Sequence, residues 1–136
     1  MRYIYSIIFL LTIVCCNNPQ TSIDKIESRY VDYNASAPIP IECIVFELEF
    51  EQSLNVKEIT DHTFLEKIES RIISLKVSES IIAKVPPDIR MKNIIFYNDG
   101  NIDTLCLGGY FNVVYNGQLM EDDEELLELM KSRLYK

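Results

Sequence analysis

Few side chains in these 136 residues could do chemistry unaided. The single histidine, His62, sits among Thr60, Asp61 and Thr63. A histidine base needs a nucleophile within hydrogen-bond reach and a third group to orient the ring. No such set is spaced around it, so His62 reads as a polar residue of a helix-opening turn and no catalytic residue is assigned. A structural zinc site needs further His or paired Cys ligands, and the sequence has one His and no Cys-x-x-Cys. The densest charge run is Glu121, Asp122, Asp123, Glu124 and Glu125. Hard cations take clustered carboxylates, but acids at the start of a helix also meet its unpaired amides. Capping is the simpler reading and a contact with a basic protein partner is the functional one, so these five residues stand as candidate partner-binding residues. The run 98–103, Asn-Asp-Gly-Asn-Ile-Asp, has the wrong carboxylate spacing for a calcium loop and no closing Glu. No metal and no cofactor is expected. Tyr97, Tyr110, Phe111 and Tyr115 place four rings within nineteen residues. Such rings serve as core, as cross-strand packing or as a recognition surface.

The elements that would carry these residues follow from periodicity. Residues 41–50 alternate, with Ile44, Phe46, Leu48 and Phe50 against Cys43, Val45, Glu47 and Glu49, which predicts a half-buried strand. From residue 60 to about 77 the period changes. Phe64, Leu65, Ile68, Ile72 and Leu75 share one helical face, and Thr60, Asp61 or Thr63 could open the helix. Residues 92–97 predict a strand, followed by Asn98-Asp99-Gly100-Asn101, where Asp-Gly suggests a two-residue hairpin with both residues at positive φ. Residues 102–107 return, Gly108-Gly109 permits a bend or bulge, residues 110–115 run out again, and Asn116-Gly117 turns the chain into 118–120. The final helix starts at Asp122 or Asp123, with Leu126, Leu127, Met130 and Leu134 as its apolar stripe and Lys131, Arg133 and Lys136 at its end. The expectation is an α+β fold: a four- to five-stranded, mostly antiparallel sheet with two amphipathic helices, in the order β-α-β-β-β(-β)-α.

The first eighteen residues have a different character. Arg2 precedes an apolar run over residues 4–14, Cys15 and Cys16 end it, and Asn17-Asn18 turns the chain polar. Eleven apolar residues suit a secretory signal and fall well short of the roughly twenty a membrane-spanning helix needs. The ending Ile13-Val14-Cys15-Cys16 resembles the lipobox of bacterial lipoproteins, with Cys16 as the lipidated residue; Cys15 stands where that family usually has Gly, Ala or Ser. The competing register would lipidate Cys15. The resemblance covers the leader alone. It implies removal of residues 1–15, a diacylglyceryl thioether on Cys16 and a domain held at a membrane surface of the bacterial cell envelope, outside the cytoplasm. The organisation expected is a signal over 1–15, a lipidated tether over 16–40 rich in polar residues and proline, and one domain over 41–136.

In such a compartment Cys43 and Cys106 are free to pair. They read either as a bridge closing about sixty residues or as two separate buried thiols, the second favoured by their strand-like surroundings. The chain carries 13 basic and 21 acidic side chains, a formal charge of −8. An acidic surface repels phosphate backbones, which argues against nucleic acid, and it leaves the lipid anchor as the membrane contact. The function expected is that of a non-enzymatic, membrane-anchored lipoprotein acting through a protein partner. The alternatives are an immunity or inhibitor protein against a basic toxin or hydrolase, and, further off, a small-ligand carrier or envelope enzyme.

Overall fold

The computed structural model describes residues 21–79 and 86–135. The leader, with Cys15 and Cys16, lies outside the described residues. Nine elements follow one another: β1 (Ile23–Tyr30), α1 (Phe46–Glu49), β2 (Asn55–Ile59), α2 (His62–Ile73), β3 (Ile89–Tyr97), β4 (Ile102–Gly108), β5 (Val113–Tyr115), β6 (Gln118–Met120) and α3 (Glu124–Leu134). The strands form one sheet in the order β2-β1-β3-β4-β5-β6, with every neighbour antiparallel. The α+β class holds. Among the described residues the sheet has six strands rather than four or five, and there are three helices rather than two.

The differences lie in the first half of the chain. Residues 23–30, assigned above to the tether, form β1, which pairs β3 on one side and β2 on the other. Its pattern is hard to read because one inward position is Ser28, fully buried and donating to Asn93 Oδ1 at 2.7 Å, while Asn93 donates to the Leu105 carbonyl at 3.0 Å. Two polar residues far apart in sequence satisfy each other inside the sheet, as buried polar atoms must. Residues 41–50, expected as a strand, form a turn and the single-turn helix α1 instead. Phe46 and Phe50, four residues apart, fall on one side of that turn with ring centroids 5.4 Å apart. An i, i+2, i+4 apolar pattern contains both periods, and β1 already occupies the place beside β3.

The second half follows its periodicity closely. Asn116 and Gly117 both take positive φ, 48° and 80°, and turn β5 into β6 with Tyr115 opposite Gln118. The Asp-Gly turn differs: only Gly100 is left-handed (φ 88°), and Tyr97 donates to the Asn101 carbonyl across three intervening residues. Asp99 accepts from the Asn101 amide at 2.9 Å, which fixes the longer turn. The strand expected over 110–115 is shortened to β5, because the chain bends after Gly108. A Cβ on Gly108 would lie 2.0 Å from the Phe111 carbonyl oxygen, so this close approach requires glycine.

The two sheet faces have different covers. α2 and α3 lie on the first, burying Ile26, Ile59, Leu65, Ile68, Met91, Ile95, Leu105, Leu107, Leu126 and Met130 among others. Each such side chain contributes about 1.5–3 kcal/mol relative to exposure. Residues 31–54 cross part of the second face, where Val31, Ile41, Phe46, Phe50, Ile89, Cys106 and Val114 form a smaller core. Ile89 and Met91 should share a face by strand alternation, yet they belong to opposite cores. An extra residue, Arg90, between the pairs Ile89–Gly108 and Met91–Leu107 makes a bulge that reverses the alternation. Cys43 in the cover and Cys106 in β4 are joined by a disulfide, with Cα atoms 5.8 Å apart; this corrects the preference for separate thiols. Glu47 adds ion pairs to Arg29 of β1 and to Lys92 of β3, the latter at 2.6 Å.

Candidate functional site

The acidic run and the aromatics, separate in the sequence, meet at the start of α3. Asp123 is the helix cap: its carboxylate accepts from the Leu126 amide at 2.9 Å. The same residue receives Arg71 from α2, at 2.5 Å from Nη2 and 3.1 Å from Nε, while Arg71 Nη1 lies 3.0 Å from Glu125. The hydrogen bond that Arg71 donates to Asp123 raises the arginine's pKa. Glu121 is placed by its backbone, whose amide donates to the Lys76 carbonyl at 2.8 Å. Asp122 accepts from the Asn112 amide at 2.8 Å. Of the five acids, then, Asp123 and Glu125 are engaged by α2, Asp122 ties down the loop before β5, and Glu121 and Glu124 are exposed.

That loop presents the rings. Asn112 stands in the left-handed region (φ 76°), and its carbonyl accepts from Gly108 at 3.0 Å. The chain between these two residues is thereby turned outward, leaving Tyr110 73% and Phe111 61% exposed. Tyr110 meets Tyr33 edge to face at 5.3 Å, and Tyr33 meets Tyr135 at 5.8 Å. Tyr135 is half-buried, meets Tyr30 in turn at 5.5 Å, and donates to the Val31 carbonyl at 2.9 Å. Burial, followed by Tyr30 and Asp32, pushes its hydroxyl up to about 12. Lys131 lies 4.6 Å from the Tyr33 ring centre and 5.6 Å from that of Tyr110, its ammonium paired with Glu128 at 2.9 Å. Between the loop and the helix runs a groove of about 300 Å³, with Tyr110 and Phe111 on one wall and Asp122, Glu124 and Glu128 on the other. Its chemistry is aromatic and mainly anionic, with Lys131 as the cation that lines it.

The other two rings go elsewhere. Tyr97 and Tyr115 are half-buried on the helix-covered face, with hydroxyls 3.3 Å apart, and Tyr115 donates a short hydrogen bond to Asp103. Burial and the bond to Asp103 push the Tyr115 hydroxyl well above the ordinary phenol range. For Asp103, burial pushes the carboxyl up, but hydrogen bonds from Tyr115, Asn116 and Tyr97 outweigh it and leave the pKa lowered. This is a hydrogen-bonded brace between β3, β4 and β5. His62 is 79% exposed at the first position of α2, with Glu66 at 3.7 Å. Asp61 rather than Thr63 caps that helix, accepting from the Phe64 amide at 2.9 Å. Among the described residues no group of three or more His, Cys, Asp or Glu side chains converges as a metal site, and no helix is long and apolar enough to cross a membrane.

Sequence reasoning missed Tyr33 and Lys131 as members of this surface. The signal for Lys131 was confined to its place in the last turns of a helix. Tyr33 lay in the supposed tether, and nothing local ties it to residue 110. Comparison with protein-family models, with curated proteins and with solved structures gave no match.

Proposed function

We propose that this chain is an envelope lipoprotein whose folded domain is a protein-binding module, anchored through lipid on Cys16. The observation that carries the binding reading is the pair of exposed rings, Tyr110 and Phe111, beside Asp122, Glu124 and Glu128. Exposed aromatics are enriched where proteins meet, because a rigid ring supplies contact area at small entropic cost. A charged rim adds steering and partner discrimination. The loop that bears the rings is tied down at Gly108, Asn112 and Asp122, so little ordering remains to oppose binding.

The anchor reading rests on the leader, with its basic start, apolar run and Ile13-Val14-Cys15-Cys16 ending. The acidic balance of the chain favours basic partners, and an immunity or inhibitor role is the particular form this would take if the partner is a toxin or hydrolase. The test of binding is a quantitative capture of interacting proteins from envelope extract by the full lipidated chain. A Tyr110→Ala/Phe111→Ala double variant is the control. One near-stoichiometric partner lost with the double variant supports the module. A partner retained in full by the variant would move the binding site away from this groove.

A further inference from the structure

We infer that the groove beside Tyr110 and Phe111 receives an arginine side chain, followed by an apolar residue, from an extended segment of a partner protein. This rests on the protein-binding reading above and names the chemistry of the partner. The chain itself shows what the acidic row accepts. On one side of the first turn of α3, Arg71 forks onto Asp123 and reaches Glu125. Asp122, Glu124 and Glu128 border that side too, and they also border the groove with the two rings, where the basic residue present is Lys131. Lys131 stands over Tyr110, but among the described residues no basic group stands over Phe111. The ammonium of Lys131 is already paired with Glu128, so the local charge remains negative at Asp122 and Glu124.

A guanidinium suits this site better than an ammonium. It is planar, stacks on an aromatic face while its edge donates to carboxylates, and sheds its hydration more readily. The groove offers both surfaces at once: the Phe111 ring, and the carboxylate of Glu124. Asp122 is half-spent, since one oxygen accepts from Asn112 and the other remains for a ligand. Val113 and Leu127 beneath the groove are buried, so a neighbouring apolar side chain has the exposed ring of Tyr110 to pack on.

The test is selection of a random peptide display library on the purified full chain held in detergent, followed by titration of a selected synthetic peptide. Selected sequences should be enriched in arginine next to an apolar residue. Replacing that arginine by citrulline should weaken binding about tenfold or more, the loss of roughly one charge-assisted contact. Phe111→Ala and Glu124→Lys should each do the same while leaving the circular dichroism spectrum unchanged, as both residues are exposed. Enrichment of neutral or acidic sequences that still require Tyr110 and Phe111 would overturn the arginine assignment and leave the binding module standing. Selection of no sequence, or of sequences that bind the Tyr110→Ala/Phe111→Ala chain equally well, would overturn both.

Discussion

Asp123 is the residue on which the acidic run turns. It was one of five similar carboxylates in the sequence, and the fold gives it two duties: capping α3 and holding Arg71. Asp123→Ala should cost about 1 kcal/mol through the cap alone, with the Arg71 contact adding to that. Asn also caps well, so Asp123→Asn should lose less than Asp123→Ala in a urea titration; equal losses would mean that the charge on Arg71 matters more than the cap. Asp103 gives a pH prediction. Its folded pKa is lowered, so its contribution to stability is present above the ordinary carboxylate range and is lost as pH falls through the folded value. Stability measured from pH 7 downward should decline below about pH 4 more steeply in the native chain than in Asp103→Asn. Parallel curves would show that the Tyr115 and Asn116 bonds do not favour the charged form.

Two elements decide how the surface is presented. The loop over 109–112 depends on Gly108, whose absent Cβ leaves room for the Phe111 carbonyl. Gly108→Ala should therefore destabilise by roughly 1–3 kcal/mol and displace the rings. At Gly109 the nearest atom to an added Cβ is Arg90 Cγ at 3.7 Å, and Gly109→Ala should be close to neutral. Thermal unfolding of the two variants side by side checks the contrast; a neutral Gly108→Ala would mean that the bend relaxes without cost. The cover over 31–54 is the other element. Its disulfide joins positions 63 apart in sequence, and on the chain-entropy model such a closure is worth about 4 kcal/mol. Reduction should lower the urea midpoint and speed hydrogen exchange first at the amides of Val45, Leu48 and Phe50, which are bonded only within the cover or its turns. Unchanged exchange there would show that Glu47 and the Phe46–Phe50 pair hold the cover unaided.

At the scale of the molecule, β1 changes where the domain would stand relative to an anchor on Cys16. The sheet begins at Ile23, so the segment between Cys16 and the fold is far shorter than a tether running to residue 40. An extended chain reaches at most about 3.3–3.6 Å per residue, so under the lipoprotein reading the domain sits close against its membrane. Cys16→Ala should shift the protein from the membrane pellet to the soluble fraction; a variant that is exported and still pellets would refute lipid anchoring. With a charge of −8, association with a basic partner should also slow as ionic strength rises.

How much of this could be read without coordinates depends on how far apart the cooperating residues lie. The faces of α2 and α3, the strands β3 and β4, and the Asn116-Gly117 turn all follow from spacings of two to four residues, because backbone geometry repeats on that length. The place of residues 23–30 in the sheet could not be read, since Ser28 is an inward residue only by virtue of Asn93, sixty-five positions away. The fate of residues 41–50 was equally open. Their alternation fits a strand, but β1 fills the sheet position beside β3, and the disulfide to Cys106 and the salt bridges of Glu47 hold the segment across the sheet instead. The acids and rings were each visible as residues. Only the bend at Gly108 and the left-handed Asn112 turned Tyr110 and Phe111 toward the start of α3. Local sequence determined which elements could form. Pairing between distant segments decided which of them did, because burial and hydrogen bonding reward a contact whatever its separation along the chain.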